Sequence, residues 1–181
     1  TQIDIEMSFA EEKDIFGEVE KIMRAIFKQI KGVDNLEFPR IKYDDAMALY
    51  GSDKPDLRFG NPMSDISELF ANTEFKVFKD VLSNNGVIKA LKFSNIEYSR
   101  KEIDKLTEFV KIYGAKGLAY LKKDNDTYSG SLNNALSEEE KNSLGLNNKD
   151  IMFIVSGDLK TVNAALGALR VKVANEKNLI D

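Results

Sequence analysis

Residues 51–62, Gly-Ser-Asp-Lys-Pro-Asp-Leu-Arg-Phe-Gly-Asn-Pro, constrain this chain more than any other stretch. Two glycines and two prolines fall within twelve positions, with no helical or strand period among the apolar residues. A boundary is expected there, with residues 1–58 in one part of the molecule and 59–181 in another. Charge is also uneven along the chain. Residues 1–66 hold nine basic and fourteen acidic side chains, whereas the remainder holds seventeen and sixteen.

Ahead of the boundary, Ile3, Ile5, Met7 and Phe9 alternate with Gln2, Asp4, Glu6 and Ser8, the period of a half-buried strand. A leading strand with neither a turn nor a partner is unusual. At the other end, Asp181 directly follows a long helical pattern. Together these ends suggest a piece excised from a longer protein. An amphipathic helix is predicted over 11–31, with Ile15, Val19, Ile22, Met23, Ile26, Phe27 and Ile30 on one face and Gly32 as its cap. An extended segment comes next at 38–42, then a short helix at 44–50 between Asp44 as N-cap and Gly51.

Beyond the boundary the pattern is α+β. A short helix is predicted at 64–71, a strand at 74–79 and a returning strand at 87–93 after Asn84-Asn-Gly86. Ser99 and Glu102 form a capping box for a helix whose core face is Ile103, Leu106, Phe109, Val110 and Tyr113, with Tyr98 and Ile103 as its staple. A strand at 117–122 comes next, then short helices at 131–136 and 138–144. A buried strand at 151–156 and a long helix at 159–178 complete the order. A four-stranded sheet with two principal helices on one face is the expectation.

The chain contains no His, no Cys and no Trp. That removes disulfides, thiolate metal sites, cysteine nucleophiles and any imidazole base. Proton transfer would fall to carboxylates, Lys or Tyr, and metal binding to oxygen ligands. The net charge of -4 includes no polybasic arm, and no apolar run approaches the roughly 18 residues of a membrane helix. The absence of cysteine is compatible with the cytosol.

Several residues invite a functional reading. Gln2, Asp4 and Glu6 share one face of the expected strand, where two carboxylates and an amide could hold an ammonium group or a hydrated Mg²⁺; otherwise they form the wet face of a sheet. Asp53, Lys54, Asp56 and Arg58 surround Pro55 in a stretch that is either a recognition loop or a polar connector. Seven basic residues against three acidic ones between Ser99 and Lys123 make Arg100, Lys101 and Lys116 candidates for a phosphate backbone, or a solvated face. Gly114-Ala-Lys-Gly117 fails the P-loop pattern, because it lies after a helix and before a strand. Asp124-Asn-Asp126 fails the Ca²⁺-loop spacing. Asn125-Asp-Thr127 matches a glycosylation sequon without other support for secretion. Gly167 is expected to allow close packing, and Arg170 to pair locally.

Longer blocks of sequence give these residues a context. Thr1-Gln-Ile-Asp-Ile-Glu-Met-Ser-Phe9 resembles the second strand of motif 2 of bacterial-type aspartyl-tRNA synthetases. Pro39-Arg-Ile-Lys-Tyr-Asp-Asp-Ala-Met47 and Tyr50-Gly-Ser-Asp-Lys-Pro-Asp-Leu-Arg58 resemble the next blocks of those enzymes. Tyr98-Ser-Arg-Lys101, Val110-Lys-Ile-Tyr-Gly-Ala-Lys-Gly-Leu-Ala119 and Ala165-Leu-Gly-Ala-Leu-Arg170 resemble the GAD domain inserted in the same enzymes. The order is right across the whole chain. A related GAD domain occurs in the B subunit of tRNA-dependent amidotransferases, but the motif 2 strand argues against that source.

The resemblance implies a strand-helix piece of a class II catalytic domain at 1–58 and a GAD insertion, a two-layer α/β sandwich, at 59–181. It implies an enzyme, homodimeric and cytoplasmic, that activates L-aspartate with ATP and Mg²⁺ and transfers it to tRNA(Asp). Gln2 and Asp4 would line its amino-acid pocket, Asp4 facing the substrate ammonium. The Arg-x-Glu of motif 2 is expected just before Thr1 and the arginine of motif 3 beyond Asp181. A segment without them, and without motif 1, carries no catalytic residue or metal site of its own and is expected to be inactive alone. The alternative is an accessory module of GAD type that contacts tRNA or serves as a structural spacer.

Overall fold

The computed structural model describes residues 2–180. Thr1, the first residue of the expected leading strand, and Asp181 lie outside the described residues. The chain divides into two compact units, residues 1–41 and 42–181. The sequence-based boundary between 58 and 59 differs from this division. Residues 42–58 belong with the second unit because Lys89 and Arg170 hydrogen-bond to their backbone, at Ala48 and Asp56.

In the first unit, residues 2–7 run without regular structure to a turn at Ser8-Phe9. The expected strand forms no ladder among the described residues. Alternation supplies a face, but a strand exists only when its N–H and C=O groups find a neighbour. Helix α1 spans Glu12–Lys31; its entry is closed by the Glu11 N–H donating to the Asp14 carboxylate at 2.9 Å. Residues 33–41 return along the helix. Arg24 donates to the Leu36 carbonyl at 3.1 Å and to Glu20 at 3.1 Å, and Arg40 reaches Glu20 at 2.9 Å. Arg24 lies over the Phe38 ring and Arg40 over Phe16, with guanidinium-to-ring distances of 5.2 and 4.4 Å. No residue of α1 is buried.

The second unit begins with α2 (Tyr43–Tyr50) and the connector, then builds one antiparallel sheet. Its strands are β1 (Ser64–Asp65), β2 (Val87–Ser94), β3 (Ala119–Asp124), β4 (Thr127–Ser129) and β5 (Asp150–Gly157), in the order β1-β2-β5-β3-β4. The α+β class stands, but the sheet has five strands where four were expected. The two-residue β1 and the three-residue β4 are too short to show a period. The helices are α3 (Lys76–Ser83), α4 (Arg100–Ile112), α5 (Glu138–Ser143) and α6 (Leu159–Glu176).

Both faces of the sheet are covered, where one was expected. On one side Leu91, Phe93, Ile151, Phe153 and Val155 pack against Leu106 and Val110 of α4 and Val162, Leu166, Leu169 and Val173 of α6. On the other, Ile88, Ala90, Leu121, Met152 and Ile154 pack against Phe70, Phe78 of α3, Leu132, Leu136 and Leu144. Such side chains contribute roughly 1.5–3 kcal/mol each when fully buried. The central β5 is apolar on both faces, which explains its continuous run Ile-Met-Phe-Ile-Val.

Residues 74–79 read as a strand from Phe75 and Val77, yet 76–83 are helical. Phe75, Phe78 and Leu82 also recur at helical spacing. The edge contacts of Phe78 with Phe70 and Phe75, both 4.9 Å between centroids, favour that period. Residues 131–136, expected as a helix, form turns.

Candidate functional site

The connector is held by side chains distant in sequence. Helix α2 ends where Gly51 crosses the middle of α6 at Gly167. A Cβ on Gly51 would lie 2.1 Å from the Asn163 carbonyl oxygen, and one on Gly167 would lie 2.6 Å from that of Tyr50. Only glycine permits this backbone approach at either position. The expectation for Gly167 is met.

Arg170 does something other than the local pairing expected of it. It is 1% exposed. Its Nε donates to the Asn61 carbonyl at 2.9 Å and its Nη1 to that of Asp56 at 2.9 Å. Its Nη2 donates to the carbonyls of Phe59 at 2.9 Å and Gly60 at 2.8 Å. The guanidinium also stacks 4.0 Å from the centroid of Phe59 and 4.8 Å from that of Tyr50. Four carbonyls of one loop are thus satisfied by one planar cation, whose rigid fork makes the arrangement possible.

A second buried cation completes the attachment. Lys89 of β2 is 3% exposed, and its ammonium donates to the Ala48 carbonyl of α2 and to Asn163 Oδ1 of α6, both at 2.8 Å. Burial lowers its pKa, with Asp65 opposing. Ala48 lies in the last turn of α2, where carbonyls lack helical partners. Two buried cations therefore bind 42–62 to the sheet and α6. Sequence reasoning missed Lys89 altogether, although a lysine between Ile88 and Ala90 in the expected returning strand was a signal.

At its outer end the loop presents charge. Arg58 Nε and Nη2 donate to Asp56 Oδ1 and Oδ2 at 3.0 and 2.7 Å, and the Arg58 N–H also reaches Oδ1 at 3.1 Å. These hydrogen bonds hold the Asp56 pKa down at about 2. The Asp56 side chain is 20% exposed and that of Arg58 is 65% exposed.

The other predicted residues lie apart from this loop and from one another. Gln2 Nε2 donates to Asp4 Oδ1 at 2.6 Å, so the two share a face of an exposed segment. Arg100 and Lys101 open α4, whereas Lys116 lies past its far end beside a cleft of about 760 Å³ lined also by Phe75, Leu118 and Asp158. The two sets lie at opposite ends of this thirteen-residue helix, roughly 20 Å long, so they do not form one patch. Within the basic run, Lys111 pairs with Glu108 at 2.7 Å and Lys122 donates to the Tyr98 carbonyl at 2.5 Å. Among the described residues, no three or more acidic side chains gather where a metal ion could sit.

Comparison with known proteins agrees with this architecture. Residues 78–166 match the GAD domain. The fold is α+β, and just under half of the chain is similar to a GAD domain. All of the chain aligns with bacterial ligases. It is 46% identical over 188 residues to an aspartate-tRNA ligase of Geobacillus kaustophilus, of which it covers 32%. It is 45% identical over 188 residues to an aspartate-tRNA(Asp/Asn) ligase of a Geobacillus species, and 44% identical to an aspartate-tRNA ligase of Staphylococcus carnosus, with 32% of each covered. The resemblance to bacterial aspartate-tRNA ligases thus holds along the whole chain, which spans about a third of the length of these relatives.

Proposed function

We propose that this chain is a segment of an enzyme that activates L-aspartate with ATP and esterifies tRNA(Asp) with it. The observation that supports this most is the alignment of all 181 residues with aspartate-tRNA ligases. Residues 1–58 are read as catalytic-domain sequence and 59–181 as the insertion. In this reading Asp4 accepts a hydrogen bond from the substrate ammonium, a charge-assisted contact that selects an α-amino acid. Gln2, already donating to Asp4 Oδ1, orients that carboxylate. Bound ATP and its Mg²⁺ supply the leaving group and charge neutralisation; their ligands are assigned to sequence outside this segment. The longer protein is read as a homodimeric, cytoplasmic enzyme.

Aspartate-dependent ATP–pyrophosphate exchange tests the assignment. The longer protein is expected to turn over and to lose about 10²-fold or more on Asp4→Ala, while the 181-residue chain alone is inactive. Exchange by the short chain would overturn the claim that it is incompetent.

A second reading has its own support. Residues 42–181 form a unit with a complete core. Such a unit suits an accessory module that contacts tRNA or steadies its neighbour. A gel-shift assay with tRNA(Asp) across a salt series checks it: binding that weakens as salt rises supports RNA contact, and no shift at low salt favours a spacer.

A further inference from the structure

We propose that the connector loop between Ser52 and Arg58 is a phosphate-recognition element that presents the Arg58 guanidinium, and that Arg170 is its positioning residue. The choice of phosphate over another oxyanion rests on the proposed tRNA-ligase function.

Residues 52–58 contribute no buried side chain. A loop of that kind is ordinarily mobile, since ordering its backbone costs roughly 1–2 kcal/mol per residue. Here the cost is offset by Arg170, whose four carbonyl contacts and stacking on Phe59 hold the loop from Asp56 to Asn61. The Gly51 and Gly167 contact fixes where the loop leaves α2. Apart from the clamp itself, the loop adds only Phe59 to the buried apolar residues.

What the arrangement does achieve is orientation. The Asp56 carboxylate grips one edge of the Arg58 guanidinium and is itself mostly covered, at 20% exposed, while Arg58 stays 65% exposed. Two of the five side-chain N–H groups are used, and the Nη1 edge is left to solvent. A guanidinium with its plane already set binds two phosphate oxygens with less loss of freedom than a free side chain.

The test uses the full chain with ¹⁵N-labelled arginine. ATP and transcribed tRNA(Asp) are titrated separately at low salt while the Arg58 Nε–H resonance is followed. At least one probe is expected to move it; a shift with tRNA alone assigns a polynucleotide phosphate, and with ATP alone a nucleotide phosphate. Arg58→Ala should weaken that binding about tenfold or more. Arg170→Lys should weaken it similarly and speed amide exchange at residues 56–61 about tenfold more than exchange in β5. A silent Arg58 resonance with both probes, Arg58→Ala binding as tightly as the parent chain, or unaltered loop exchange in Arg170→Lys would each overturn the proposal. Pyrophosphate exchange by the longer protein separates the two claims. Activity there with a silent Arg58 sinks only the loop proposal, and phosphate binding in an inactive enzyme sinks only the ligase function.

Discussion

Helices α1 and α6 have similar lengths, 20 and 18 residues, and opposite fates. Helix α1 carries a well-formed apolar stripe, yet Ile15, Val19, Ile26 and Ile30 are each more than a third exposed. Helix α6 has a poorly segregated pattern and buries nine residues, two of them polar. A clean stripe therefore states that one face seeks cover, without saying that cover is present. A helix apolar on several sides, with Gly167 and Arg170 set into it, is surrounded. The energetic weight of the molecule lies accordingly in residues 42–181.

The largest expected effect that could break this contrast is Arg170→Met. Four carbonyls would lose their donor, and the second unit should lose about 3–5 kcal/mol in urea unfolding. A loss below about 1 kcal/mol would show that the clamp is not what holds the connector. Next comes a paired substitution. Leu166→Ala in α6 removes a fully buried side chain and should cost about 2–5 kcal/mol, whereas Ile26→Ala in α1 should cost less than about 1 kcal/mol. Equal costs would mean that the face of α1 is covered in solution.

Ser99→Ala deletes the cap of α4, where the Glu102 N–H donates to Ser99 Oγ at 3.3 Å; about 1 kcal/mol is expected by thermal unfolding. The smallest effect is in pH. The Asp56 pKa is depressed to about 2 in the folded chain. Its contribution is therefore full above the ordinary carboxylate value near 4 and fades as pH falls toward 2. Carboxyl NMR titration should find Asp56 ionised at pH 3, and a midpoint near 4 would show that the Arg58 grip is absent in solution.

The parts legible in the sequence were those set by neighbours in the chain. The capping box at Ser99 with Glu102 is present, with the Ser99 N–H donating to the glutamate at 2.7 Å. The apolar run at 151–156 is the central strand. The 74–79 stretch was misread because alternation and helical spacing coexist there, and packing on Phe70 decided between them. The expected site was legible only as a juxtaposition: alternation puts Gln2 beside Asp4, and the structure keeps them hydrogen-bonded. Arg170 stood in plain view between Leu169 and Val171 but could not be connected to the loop it serves.

Local sequence alone dictates where regular structure must stop. Glycine and proline between 51 and 62 remove both helix and strand through backbone sterics, which act within a few residues. It also dictates the apolar faces, because side-chain direction follows from the local period. Tertiary packing, by contrast, made the interruption a fixed loop belonging to the second unit. That outcome depends on Lys89 and Arg170 carrying buried charge to backbone carbonyls from 41 and from 109 to 114 residues away. A buried cation must find acceptors wherever the fold offers them, and no local pattern records which ones those are.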